Sequence, residues 1–218
     1  LTLDGRTATA EGESKWITGP EARADVMKWR RYFPAIGAGA GTVIADNPRL
    51  TARVEGEPER CPARLVFDRS LRVRPHIGGL RLFQDPWAEQ TILVTSDEHS
   101  AGALEPFEST GCRICALPRD AFLDGGNAFR QWCLSEGFPG LYIEGGKGLN
   151  SELIRNRMTD YGFFYQSTKL FLDDRASGFA SVGGLFGPNH CPKLEDPVRE
   201  EFGEDSLTRG RISFPEAF

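Results

Sequence analysis

Short apolar runs rich in β-forming residues recur along this chain, as ARLVFD (63–68), QTILVTS (90–96), CRICAL (112–117), GLYIE (140–144) and DYGFFYQSTKLFL (160–172), with helical segments between several of them. Strands alternating with helices predict an α/β fold in which helices cover a central sheet. Thr18-Gly-Pro-Glu21 has the spacing of a capping box with a proline tolerated in the first turn, so a helix is expected to begin there. Ala22, Val26, Trp29 and Phe33 then recur at near-helical spacing and predict one buried stripe, with Arg23, Lys28 and Arg30 facing elsewhere. Further helices are expected over 127–136 and 148–157, the latter straight after the strand GLYIE and the pair Gly145-Gly146.

The stretch 173–208 is rich in Gly, Pro and charge and reads mostly as loop with short elements, while TRGRISFP reads as a closing strand. Nothing between residues 1 and 172 looks like a linker, so residues 1–218 are expected to form a single domain. LTLDG reads as the end of a strand running into a turn at Asp4-Gly5, so the chain is expected to start inside a longer protein with most of its first strand missing.

A net charge of −5, with Lys and Arg spread along the chain, argues against a nucleic-acid partner but leaves room for a small anion held by a few arginines. No stretch approaches the roughly 20 apolar residues of a membrane span. The start LTLDGRTATA lacks a basic-then-apolar leader, so a cytoplasmic protein without a membrane partner is expected. The 5 cysteines are an odd set in a chain too long to need disulfide staples, so reduced thiols are expected. Cys112-Arg-Ile-Cys115 has the spacing of half a zinc site, yet no second Cys/His pair accompanies it and its residues alternate as a strand. No metal is expected.

Three constellations carry candidate chemistry. Ile36-Gly-Ala-Gly-Ala-Gly-Thr42, leading to Asp46, is an apolar strand that runs into glycines and a hydroxyl at a helix start. Such a turn suits phosphate contact, and it equally suits tight packing of strand on helix. Glu144-Gly145-Gly146-Lys147-Gly148 repeats the theme, either as the approach of a dinucleotide pyrophosphate or as a solvated turn. Ser14, Arg30 and Arg53, with Asp46 near Asn47-Pro-Arg-Leu-Thr51, offer arginines and hydroxyls for a phosphomonoester, against the ordinary reading of surface arginines. Trp16 fits a lid or core aromatic as well as a cofactor contact. The histidines His76, His99 and His190 have no nucleophile elbow or paired acid, so a Ser-His-Asp hydrolase has no support.

Taken together, TLDGRTATAEGESKWITGPEARADV (2–26), GAGTVIADNPRLTAR (39–53), RLVFDRSLR (64–72) and LYIEGGKGLNSELI (141–154) resemble the C-terminal reductase domain of the bifunctional riboflavin-biosynthesis deaminase/reductases. That family is dihydrofolate-reductase-like. The resemblance implies a mostly parallel central sheet with an antiparallel C-terminal edge and helices on both faces. It implies NADPH as cofactor, contacted by Trp16, Thr42, Asp46 and the turn Gly145, Gly146, Lys147, Gly148, Leu149 up to Ser151. Ser14, Arg30, Leu50 and Arg53 would hold the ribose-phosphate end of a phosphoribosylamino-pyrimidine, and Glu144 would bind that substrate beside the nicotinamide. Asp46 and Glu144 would be the catalytic carboxylates. Arg69 and Ser70, where the chain leaves a central strand, would recognise the adenosine 2′-phosphate, although the family often has a serine where Arg69 stands.

The implied reaction is hydride transfer to C1 of the opened ribosylamine, as an imine or aldehyde, with a proton supplied from a nearby group or water, giving the ribityl product. A family lysine upstream of the LDG block has no counterpart here, and the deaminase signature His-x-Glu with Pro-Cys-x-x-Cys is absent from these residues, so deamination is not expected. A homodimer, and a deaminase domain fused to or partnered with this one, are expected by resemblance. Beyond residue 172 the family pattern is followed only loosely. Two other readings stay open: a pterin reductase with the same fold and cofactor, and a catalytically silent nucleotide-binding or dimerisation domain.

Overall fold

The computed structural model of the chain describes residues 1–183 and 187–216. Its first elements are β1 (Arg6–Ala8), α1 (Pro20–Tyr32), β2 (Ala35–Gly39), α2 (Ala40–Asp46) and β3 (Ala63–Phe67). They are followed by α3 (Arg81–Gln84), β4 (Thr91–Ser96), α4 (Ala101–Glu108), β5 (Arg113–Leu117), α5 (Asn127–Ser135) and β6 (Leu141–Ile143). The chain then forms α6 (Lys147–Arg155), β7 (Tyr161–Gln166), β8 (Ser177–Gly178), β9 (Lys193–Phe202) and β10 (Asp205–Ser213). It divides into two compact units, one of Val26–Leu149 and the other of Leu1–Asp25 with Asn150–Phe218.

The unit Val26–Leu149 is built on a five-stranded sheet in the order β5-β4-β3-β2-β6, every pair parallel. All six residues of TILVTS in β4 are buried, as expected of a strand flanked by neighbours and covered on both faces. Strand alternation in β3 shows that covering directly. Phe67 packs edge-on against Phe129 of α5 with ring centres 5.5 Å apart. Arg64, three residues earlier and so on the opposite face, donates to Leu82 O in α3 at 3.0 Å. Arg64 is fully buried, and Asp85 compensates its charge through contacts of 2.6 and 2.9 Å, with Trp87 O at 2.7 Å and Thr91 Oγ1 at 2.9 Å. A buried guanidinium is tolerable only with such partners.

The glycines of β2 answer one question the sequence left open. A Cβ on Gly37 would lie 2.6 Å from Ile143 Cδ1 and 2.7 Å from Phe67 Cε2, so this residue serves close packing between neighbouring strands. Gly41, by contrast, has open space where its Cβ would stand.

The other unit holds two antiparallel sheets, β1-β8 and β7-β10-β9. Residues 1–3 run beside 165–169, with Ser167 N donating to Leu1 O at 2.9 Å and Leu3 N to Lys169 O at 2.7 Å. The turn at Asp4-Gly5 forms as expected, with Gly5 at φ 77°. Helix α1 also starts where the capping spacing placed it, and a remote carboxylate serves its start: Asp205 of β10 accepts the Gly19 N–H at 2.6 Å.

The reading of 173–208 as mostly loop is corrected here, since β9 alone spans ten residues and pairs with β10 almost throughout. Strand β9 is an edge strand whose KLEDPVREEF side chains are nearly all exposed, so it lacks the buried face that creates an alternating pattern. An edge position also tolerates Pro197 and carries charge against unwanted pairing. Residues 184–186 of that stretch lie outside the described residues. TRGRISFP falls on β10, the expected closing strand.

Candidate active site

In the parallel sheet, β2 has β3 on one side and β6 on the other, so the strand order reverses between β2 and β6. In open α/β sheets the crevice beyond the strand ends at such a point is where ligands bind. The two glycine-bearing turns singled out in the sequence both lie there. Strand β2 leads through Gly39 into α2, and β6 leads through Glu144, Gly145 and Gly146 into α6, with Glu144 N held by Gly37 O at 2.8 Å.

The turns touch. A Cβ on Gly146 would stand 2.9 Å from Thr42 Oγ1, and one on Gly39 would stand 3.3 Å from Leu149 Cβ. Gly148 faces open space, so its backbone remains approachable in the first turn of α6. The fold therefore places Gly146 against Thr42 and Leu149 against Gly39. Backbone N–H groups and a hydroxyl beside a helix start are the kind of groups that contact phosphate.

Next to it stands a charged cluster. Arg30 donates from Nε to Glu144 Oε1 at 2.6 Å and from Nη2 to Glu144 Oε2 at 2.5 Å. Its Nη1 donates to Thr51 O at 2.8 Å. Burial opposes the charge on Arg30, and the Glu144 carboxylate outweighs that cost, so the guanidinium pKa is raised. The expectation that Arg30 faces away from the buried stripe is thus corrected. It follows Val26 by four residues and lies buried on that side of α1, where a carboxylate makes burial tolerable.

Arg53 is more exposed and donates to Thr51 Oγ1 at 2.6 Å. Its pKa is lowered, first by burial and then by the positive charges of Arg30 and Arg49. Leu50 is buried in a left-handed conformation with φ 50°. Asp46 ends α2, followed by Asn47 at φ 43°, whose side chain accepts from Arg81 N at 2.7 Å and donates to Gly79 O at 2.9 Å.

Arg69 and Ser70 are exposed just beyond β3. Their turn is fixed from beneath by Asp68, whose carboxylate accepts the Val73 N–H at 2.8 Å, while His99 Nε2 contacts Arg69 O at 2.7 Å. Ser14 and Trp16 belong to the other unit. There the Trp16 ring is largely exposed, Arg23 stacks over it at 4.5 Å, and Lys169 Nζ donates to Trp16 O at 2.6 Å. Arg49 and Thr51, which the sequence offered only as part of Asn47-Pro-Arg-Leu-Thr51, join the charged cluster, and so does Glu59, which the sequence did not mark. Glu59 lies in a run of charged loop residues with nothing to mark it.

All five cysteines are free thiols. Among the described residues no three His, Cys, Asp or Glu side chains are grouped to hold a metal ion, and no helix is long and apolar enough to cross a membrane.

Comparison with known proteins gives one consistent answer. The family model for the RibD C-terminal domain matches residues 1–185. The chain is 45% identical over 215 residues to the riboflavin biosynthesis protein RibD of Escherichia coli, covering 93% of this chain and 54% of that protein. It is 32% identical over 161 residues to the 2,5-diamino-6-ribosylamino-4(3H)-pyrimidinone 5′-phosphate reductase of Methanothermobacter thermautotrophicus, covering 73% of this chain and 70% of that protein. The solved deaminase/5-amino-6-(5-phosphoribosylamino)uracil reductase of Thermotoga maritima superposes with a TM-score of 0.72 at 26% identity, over 98% of this chain and 54% of that one. The chain spans about half the length of the RibD relatives it matches, 55% of the one from Haemophilus influenzae. With a match of this extent, the chain belongs to the family of the RibD C-terminal domain.

Proposed function

We propose that this chain catalyses the NADPH-dependent reduction of 5-amino-6-(5-phosphoribosylamino)uracil to its ribitylamino product, a step of riboflavin biosynthesis. The observation that carries this reading is the meeting of the two glycine-bearing turns at the strand-order reversal, where Gly146 reaches Thr42, with the Arg30–Glu144 pair alongside. Residues 1–218 act as one reductase domain in this reading.

When bound, the nicotinamide would supply the hydride taken up at C1 of the ring-opened imine, while the imine nitrogen gains a proton from water. Thr42, Gly145, Gly146, Lys147, Gly148 and Leu149 hold the dinucleotide by backbone and hydroxyl contacts, and Asp46 positions it from the far end of α2. Arg69 and Ser70 take the adenosine 2′-phosphate and so favour NADPH over NADH. Glu144, chelated by Arg30, accepts hydrogen bonds from the substrate and donates none. Arg53 and the Leu50 backbone grip the ribose-phosphate end, and that remote binding energy orients C1 for transfer. Ser14 and Trp16 keep the substrate and cofactor roles that the resemblance gives them. An unphosphorylated pterin would leave the arginines beside Thr51 without a task, which favours the phosphorylated pyrimidine. The protein is cytoplasmic and homodimeric in this reading, and a deaminase domain accompanies it as in the bifunctional relatives.

Thermal stability with NADPH, with NADH and with neither tests the cofactor, because a ligand that binds only the folded state raises its apparent stability. A shift with NADPH alone, followed by NADPH oxidation on adding the phosphoribosylamino-pyrimidine, is the expected result. No shift with either nucleotide would sink the reading.

A further inference from the structure

The charged cluster already contains an anion supplied by the protein. Glu59 accepts from Thr51 Oγ1 at 2.6 Å and from Arg49 Nη2 at 2.9 Å, and its Oε1 lies 3.9 Å from Arg53 Nη1. These partners, two guanidiniums and a hydroxyl, are the groups that would hold a phosphate monoester. Glu59 comes from the exposed stretch after Gly56, and its backbone neighbour Arg60 is pinned to Ala52 by paired hydrogen bonds of 2.9 and 3.0 Å. Its side chain is 27% accessible, so it can swing into solvent by side-chain rotation while the backbone stays paired.

We propose that Glu59 is an internal stand-in for the substrate's phosphate, displaced when that phosphate binds, and that it makes the pocket selective for dianions. The proposal rests on the reductase reading only for the identity of the phosphate carrier. Charge decides the exchange. The cluster sets the guanidiniums of Arg30, Arg49 and Arg53 against the carboxylates of Glu144 and Glu59, three positive charges against two negative. A monoanion that replaced Glu59 would gain nothing in charge. A phosphate monoester, carrying about −1.5 to −2 near neutral pH, completes the neutralisation and so wins the site. The lowered pKa of Arg53, caused by burial and by the neighbouring Arg30 and Arg49, is consistent with positive charge that is not fully compensated. Arg49 thereby becomes a specificity-determining residue.

The test is the binding of inorganic phosphate, acetate, ribose 5-phosphate and 2′-phosphoadenosine to the whole chain and to its Glu59→Gln and Arg49→Met variants, followed by calorimetry. Glu59→Gln keeps the shape and removes the competing charge. It should bind phosphate and ribose 5-phosphate roughly fivefold tighter and should gain measurable acetate binding that the parent lacks. Arg49→Met should lose phosphate affinity by a similar factor. Unchanged or weaker phosphate binding in Glu59→Gln overturns the proposal, as does an absence of phosphate binding in both proteins. A gain for 2′-phosphoadenosine without one for ribose 5-phosphate would give the pocket to the cofactor and overturn the assignment to substrate. The NADPH-dependent stability shift, measured on the same samples, reports separately on the reductase reading. Its loss with the phosphate result intact would strike that reading and leave the anion exchange standing.

Discussion

Arg30 and Glu144 meet in a two-point ion pair, 2.6 Å at Oε1 and 2.5 Å at Oε2, across 114 residues of sequence. The guanidinium is the more buried partner, with 10% of its side chain accessible against 28% for the carboxylate. Arg30→Met should leave the Glu144 charge partly buried without its partner and cost about 3 kcal/mol, read from urea denaturation. Arg30→Met combined with Glu144→Gln should recover part of that loss. Additive effects of the two changes would show that the pair is not coupled. In turnover assays, Glu144→Gln should reduce kcat/KM while leaving NADPH affinity nearly unchanged.

Three glycines should respond differently to alanine. Gly37→Ala forces a Cβ against Ile143 and Phe67 and should lower stability by about 1–3 kcal/mol whether or not nucleotide is present. Gly148→Ala meets open space inside a helix and should raise the stability of the unliganded chain by up to about 1 kcal/mol while weakening NADPH binding. Gly146→Ala, whose Cβ would crowd Thr42, should weaken NADPH roughly tenfold. Melting curves with and without NADPH separate the three. A Gly148→Ala protein that binds NADPH as well as its parent would remove that residue from the cofactor site.

Burial makes three of the thiols poor nucleophiles. It pushes Cys112 and Cys115 up to about 12 and Cys133 to about 11, while Cys61 is also raised by burial and Cys191 is exposed. Because the thiolate is the reacting species, brief iodoacetamide treatment at mildly alkaline pH should modify Cys191 first. Peptide mass spectrometry of the native and urea-denatured protein checks this, and early alkylation of Cys112 or Cys115 would contradict it.

Asp4 links the first turn to the segment after β7. It accepts from Thr2 Oγ1 at 2.6 Å and from the backbone N–H groups of Phe171 and Leu172 at 3.1 and 3.0 Å. The Thr2 hydroxyl, followed by the backbone donors, lowers its pKa from 3.8 to about 2. A depressed carboxylate stabilises the fold above its unfolded pKa and loses that contribution as pH falls through its folded pKa. The stability difference between the parent and Asp4→Asn should therefore be full above pH 3.8 and shrink as pH falls toward about 2. A difference that does not vary over that range would count against the role.

The parallel sheet was legible because its strands are buried on both faces and read as apolar runs, TILVTS most clearly. Strand β9 was not legible, since an exposed edge strand has no core-facing register to leave an apolar pattern. The glycines of the candidate site were visible in sequence, but it is their three-dimensional surroundings that separate Gly37, which packs strands, from Gly148, which borders open space. The Arg30–Glu144 pair depends on a contact between distant segments. A hint of it existed in the spacing of Ala22, Val26 and Arg30, which puts the arginine on the apolar stripe where only a paired charge is stable. Glu59 left no such hint, because its neighbours are set by the path of a loop.

Strand β6 consists of three residues and among the described residues pairs in the sheet with β2 alone, so it forms a short margin of the parallel sheet. Its partner comes from the opposite end of the same unit's sequence, and the two glycine turns can face each other only while this margin is closed. Local opening of β6 would therefore abolish the crevice without unfolding the rest of the sheet. A dinucleotide lying across both turns would act as a fastener on that margin, slowing hydrogen exchange at Tyr142, Ile143 and Glu144 more than at the interior amides of β4. Occupancy of the site and integrity of the sheet edge then become one equilibrium, seen from its two ends.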